Sequence, residues 1–204
     1  MELTAHRLSP VELRVLGCLV EKQRTTPEQY PLTLNALRLA CNQTTNRDPV
    51  TDYDESAVRA AAQSLGTKGY SRLATGPGSR TAKYRQLFQE ALDLMPAEVS
   101  ILAVLMLRGP QTVNELKTRT ARLAPIDDVP TELARLEAKE LVQLVPRQPG
   151  QREERWTHLL AEASVEPGDD APAGAPAPVD RRVAQLEHRL DELERALAER
   201  GLLG

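Results

Sequence analysis

Asp54-Glu-Ser-Ala-Val-Arg-Ala-Ala-Ala-Gln-Ser-Leu65 is followed by Gly66-Thr-Lys-Gly-Tyr-Ser-Arg-Leu-Ala-Thr75, Gly76-Pro-Gly-Ser-Arg80 and Thr81-Ala-Lys-Tyr-Arg-Gln-Leu87, and the fold turns on this stretch. Asp54 is an N-cap, because its carboxylate can accept a free first-turn N–H. Val58, Ala61, Ala62 and Leu65 recur at helical spacing and predict a buried stripe. Ser56, Arg59, Gln63 and Thr67 fall on the opposite stripe, and Gly66 and Gly69 are expected to break the helix. Two β-prone runs follow, Tyr70–Thr75 and Thr81–Leu87, with the turn Gly76–Arg80 between them. A helix followed by a hairpin is the second half of a winged helix, whose last helix can enter a groove while its hairpin lies on phosphates.

The plan recurs about seventy residues later. Gly69-Tyr-Ser-Arg-Leu73 matches Glu140-Leu-Val-Gln-Leu144, and Lys83-Tyr-Arg-Gln-Leu87 matches Arg155-Trp-Thr-His-Leu159. Upstream, Ser9-Pro-Val-Glu12 is echoed by Met95-Pro-Ala-Glu98, each before a long apolar helix. Paired features in the same order indicate two copies of one small unit. The expected fold is mainly α with small β-hairpins: tandem winged-helix domains over residues 1–90 and 91–160, a Pro/Ala/Gly linker over 161–179 and a C-terminal helix over 180–204.

Within this frame the remaining elements follow from local chemistry. Ser9 and Glu12 form a capping box with Pro10 at the first helical position, which predicts a helix to about Arg24 with Val11, Val15, Cys18 and Leu19 inward. Thr33 caps a second helix from Leu34 to Asn42. In the second copy, Pro96 opens a helix whose cap position is Met95, a poor cap. Thr112 and Glu115 form another capping box for a helix to about Leu123, and a third helix is expected over Asp127–Glu140. The second hairpin is expected over Val142–Pro146 and Arg155–Leu160.

The formal charge of −3 is unevenly spread: residues 1–90 carry net +3, residues 91–160 net −1 and residues 161–204 net −5. The strongly basic stripe of many nucleic-acid binders is absent overall, and only the first copy leans basic. Cys18 and Cys41 fall among apolar neighbours and read as plain buried thiols in a reducing, cytoplasmic setting. Glu2, His6 and Arg7 interrupt any signal-like run, and no stretch approaches the length of about 20 apolar residues that spans a bilayer. His6, His158 and His188 lie far apart, and neither a phosphate loop nor a zinc spacing occurs. A non-enzymatic protein without cofactor or metal is expected.

The polar connector Asn42-Gln-Thr-Thr-Asn-Arg-Asp-Pro-Val50 has two readings. Its side chains can satisfy local backbone as caps and Asx-turns. Alternatively, Asn42, Gln43, Asn46 and Arg47 contact phosphates or base edges. At this point a resemblance becomes specific. Thr25-Thr-Pro-Glu-Gln-Tyr-Pro-Leu-Thr-Leu-Asn-Ala-Leu37, Ala40-Cys-Asn-Gln43, Asn46-Arg-Asp-Pro-Val50 and Gly78-Ser-Arg80 with Lys83-Tyr84 resemble the YceH-like family of bacterial proteins. Leu107-Arg-Gly109, Gln111-Thr112, Glu115-Leu116 and Pro146-Arg147 in the second copy agree, so the likeness covers roughly residues 9–160. It implies a tandem winged-helix fold and little about activity, because that family's biochemical role is not established.

Double-stranded DNA is the first expected partner, in transcriptional regulation. Arg59 and Gln63 are four apart on one helix face and can reach base edges. Arg72, Arg80, Lys83 and Arg85 gather on the hairpin, where phosphate contacts belong. Asn46 and Arg47 complete the candidate nucleic-acid set. Against it stand Asp48, Asp52, Asp54 and Glu55 near the same helix start. The rival is a protein-binding scaffold like the small kleisin-associated subunits of bacterial condensins. Val183, Leu186, Leu190, Leu193 and Leu197 are spaced 3, 4, 3, 4, an a/d seam that suits a homodimer or a protein partner.

Overall fold

The first helix, α1 (Pro10–Thr25), begins where the sequence says it should: Ser9 N–H donates to Glu12 Oε2 at 2.7 Å, and Glu12 N–H donates to Ser9 Oγ at 3.3 Å. A computed structural model describes residues 7–74, 82–147 and 151–161. The turn Gly76–Arg80, nearly all of the expected linker, and the seam from Val183 to Leu197 lie outside the described residues.

The chain continues through a 3₁₀ turn (Pro27–Gln29), β1 (Leu32–Thr33), α2 (Leu34–Cys41), α3 (Glu55–Thr67), β2 (Ser71–Ala74) and β3 (Lys83–Gln86). A short α4 (Phe88–Ala91) leads into α5 (Pro96–Arg108), α6 (Val113–Thr120), α7 (Val129–Ala138), β4 (Val142–Val145) and β5 (Arg155–His158). The described protein is thus mainly helical with two small antiparallel sheets, ordered β1-β3-β2 and β4-β5.

The two copies match in detail. Thr33 caps α2 and Thr112 caps α6; Asp54 caps α3 and Asp128 caps α7. Leu32 pairs with Tyr84, and Gln111 forms the corresponding bridge with Trp156. Lys68 Nζ lies 2.8 Å from Glu12, while Lys139 Nζ lies 2.9 Å from Glu98. At Met95 only half of the capping box forms: Glu98 accepts from its N–H at 2.7 Å, but the thioether side chain supplies no cap. The end of the third helix also repeats. Gly69 (φ +79) and Glu140 (φ +58) both sit in the left-handed region that stops a helix.

Gly66 does not break α3, which runs on to Thr67; Gly69 does. The α6 helix stops at Thr120, short of the expected Leu123.

The core is continuous across the two copies because their first helices pack on each other. Each is buried over ten consecutive residues, Glu12–Glu21 in α1 and Glu98–Leu107 in α5, instead of showing one apolar stripe. The crossing is close at Gly17, where an added Cβ would stand 2.9 Å from Leu107 Cγ and Cδ2. Leu16, Leu19, Leu102 and Leu105 have no exposed surface, and each contributes about 1.5–3 kcal/mol by leaving water. Leu8 closes the body by donating its N–H to Leu160 O at 2.7 Å. Cys18 and Cys41 are free, buried thiols. No described helix is long and apolar enough to cross a membrane.

Candidate functional site

Strand register decides what the first hairpin displays. Arg72 stands opposite Arg85, and Ala74 opposite Lys83. Paired residues of an antiparallel ladder point to one face, so Arg72, Lys83 and Arg85 share the outward side. Of the alternate residues, Ser71, Tyr84 and Gln86 are buried and Leu73 is exposed. Gln86 anchors this inner side: it donates from Nε2 to Gln23 Oε1 at 2.8 Å, and its N–H donates to the Tyr30 hydroxyl at 2.6 Å. Arg85 is held 3.0 Å from Glu90; Arg72 and Lys83 make no ion pair among the described residues.

The α3 helix stands beside β2, and a groove of about 410 Å³ between them is lined by Gln63, Gly66, Thr67, Arg72 and Leu73 among others. Gln63 and Arg72 therefore border one groove, although they belong to different elements. Arg59 and Gln63 are both exposed on α3, as their spacing requires. Arg59 is already engaged, 2.5 Å from Glu55 one turn earlier. At the helix start, hydrogen bonds from Ala57 N–H and the Ser56 hydroxyl hold the Asp54 carboxyl below its usual range, so the cap keeps its negative charge there.

Arg47 corrects the expectation of a phosphate contact. Its side chain is fully buried, with Nη2 2.6 Å from Glu21 Oε2, and it also donates to Ala40 O, Asn46 O and Gln43 Oε1. A guanidinium spent in this way inside the protein has no face left for DNA. Asn46 is half-buried, and its Oδ1 accepts from Arg108. Asn42 accepts from Tyr53 N–H at 2.9 Å and donates to Tyr53 O at 2.8 Å. The polar connector is thus a structural clasp. Arg80 lies outside the described residues, so Arg59, Gln63, Lys83 and Arg85 are the sequence-derived candidates found at the surface.

A second polar cluster was not foreseen. Glu21 of α1 takes Arg122 as well as Arg47, and Arg108 and Arg119 stand nearby around a cavity between the two copies. These residues come from four separate segments, of which the sequence singled out Leu107-Arg-Gly109 and Arg47, neither of them for this cluster.

Such a chain defines a class, a duplicated helix-and-hairpin protein joined through its first helices. It belongs to the family described as "Protein of unknown function, DUF480", whose model matches residues 8–151. Its relatives are bacterial. It is 46% identical to a UPF0502 protein of Pseudomonas fluorescens (strain SBW25), over 94% of this chain and 92% of that protein. It is 45% identical to a UPF0502 protein of Geotalea uraniireducens (strain Rf4), over 92% and 87%. A UPF0502 protein of Opitutus terrae (strain DSM 11246 / JCM 15787 / PB90-1) is 49% identical, over 85% and 78%.

Proposed function

We propose that this is a non-enzymatic, cytoplasmic DNA-binding protein made of two winged-helix repeats, with the first repeat making the contact. The winged-helix reading is supported by three helices and a hairpin occurring twice. In each copy the segment before the second helix pairs with the last strand of the hairpin.

The observation that carries DNA binding is the opposition of Arg72 and Arg85, with Lys83 on the same outward face. Like charges directly opposed across a ladder destabilise a hairpin. Glu90 offsets one of them, and a phosphate between the strands would relieve the rest. Gln63, on the shared groove, and Arg59, on the same helix face, would then be the groups that meet base edges. In the second repeat the corresponding ladder pair is uncharged, Gln143 opposite Thr157, and on α7 Glu132 and Arg135 neutralise each other at 2.9 Å.

The test is fluorescence anisotropy of a labelled random duplex at several salt concentrations. The affinity is expected to fall with salt at about −0.9 log units per phosphate contacted, and Arg72→Ala with Lys83→Ala is expected to remove about two contacts from that slope. No binding at low salt overturns the reading.

The protein-scaffold reading draws on Leu73, which is 54% exposed on the same groove, and on the Glu55–Arg59 pair, which leaves that helix face mixed in charge. A Leu73→Ser variant separates the two: it removes the apolar contact without adding charge beside Arg72, so it would weaken capture of a protein partner and leave the salt-dependent DNA signal in place.

A further inference from the structure

Between the two copies lies a cavity of about 290 Å³. Its apolar lining comes from Ala103, Val104, Leu107 and Leu123. Its polar wall holds Arg108, Arg119 and Arg122 against Glu21 and Asn46. Glu21 and Asn46 come from the first copy and the rest from the second, so the cavity exists only because the two copies are packed together.

The charges here do not balance. Glu21, with its side chain only 3% exposed, answers both Arg47 and Arg122. Arg119 is 3.5 Å from Glu115, but that carboxylate is shared with Arg155 at 2.8 Å. Arg108 makes no ion pair among the described residues, and its side chain donates to the neutral amide oxygen of Asn46. Five guanidinium groups are therefore served by two carboxylates. Arg108 bears the consequence: burial, and then the charges of Arg119, Arg122 and Arg47, hold its pKa below the ordinary arginine value. An arginine keeps its proton at physiological pH, so an anion seated in the cavity would relieve that repulsion.

We propose that this cavity binds a small molecule with a carboxylate or phosphate head and an apolar body. Arg108, with Arg119 and Arg122, takes the head, and Val104, Leu107 and Leu123 take the body. Planar guanidinium groups match the oxygens of either anion in a bidentate way. A pocket of a few hundred cubic ångströms, mostly apolar with a few converging polar groups, is the usual shape of a small-ligand site. The inference is independent of DNA binding, since no residue of the first hairpin takes part.

The test is isothermal titration of the full-length protein with benzoate and with phenyl phosphate. Inorganic phosphate and benzyl alcohol serve as probes of the head and the body alone. At least one of the two amphipathic anions is expected to bind with Kd below about 1 mM, with each half-probe about ten-fold weaker or worse. Arg108→Gln is expected to weaken that binding about ten-fold. Ala121→Trp, which fills the exposed rim without touching the core, is expected to abolish it. The proposal is overturned if neither anion binds with Kd below about 1 mM, or if either folded variant binds as the wild type does. Should Arg108→Gln fail to fold, Ala121→Trp decides alone.

Discussion

Arg47 and Glu21, 26 residues apart in sequence, meet at 2.6 Å with both side chains almost wholly out of water. Removing one partner of such a pair strands the other's charge, which typically costs 3–5 kcal/mol (an order-of-magnitude figure). Glu21→Gln is expected to destabilise the protein by about that much, because it also frees Arg122. The double variant Glu21→Leu, Arg47→Met should be less harmful than the sum of its parts. Urea denaturation of the three variants measures this.

Gly17 tests the contact between the copies. Alanine there gains about 1 kcal/mol of helix propensity but places its methyl against Leu107, whereas leucine cannot be accommodated without parting α1 from α5. Gly17→Leu should therefore cost several times what Gly17→Ala costs, in the range of about 3 kcal/mol or more. A thermal melt of each variant gives the comparison. Equal melting points for Gly17→Leu and wild type would refute the close crossing.

Glu140 occupies the position where the first copy has Gly69, with φ +58. Left-handed backbone costs a residue with a Cβ roughly 1 kcal/mol that glycine does not incur. Glu140→Gly is expected to stabilise the protein by about 0.5–1 kcal/mol, while Gly69→Ala is expected to destabilise it by a similar amount. Opposite signs from equivalent positions, read in denaturant midpoints, are the signature.

His158 makes stability depend on pH. Burial pushes its pKa down to about 4, and Nδ1 finds no hydrogen-bond partner among the described residues. Between about pH 6.5 and 4 the unfolded chain takes up a proton that the folded chain refuses, so stability is lost as the pH falls through that window. From pH 7 to pH 5 this amounts to about 2 kcal/mol. His158→Phe should remove that part of the loss, and denaturation at the two pH values measures the difference.

Much of the fold could be read from the chain because its signals are local. Ser9 with Glu12, Thr112 with Glu115 and Asp54 each declare a helix start within four residues, and their hydrogen bonds form as expected. The α4 helix and β1 carry no such signal: α4 has no side-chain cap, and β1 is held by pairing with a strand some fifty residues away. Gly66 misled, because a glycine near a helix end looks like a stop whether or not its backbone turns left-handed. The candidate interface divides in the same way. Arg59, Gln63, Lys83 and Arg85 were found at the surface since period alone fixes their faces. Arg47 kept two readings open because nothing near it announces Glu21, and the arginines around the cavity converge only after α1 and α5 have packed.

That packing changes how the contact between the copies responds to dilution. Were the copies separate chains, the Gly17–Leu107 contact would be a dimer interface and would dissociate as protein became scarce. On one chain its partner is always present at a high effective concentration set by the connecting segment, independent of how many molecules the cell contains. The cavity that the crossing creates is therefore complete in every single molecule, even at very low copy number.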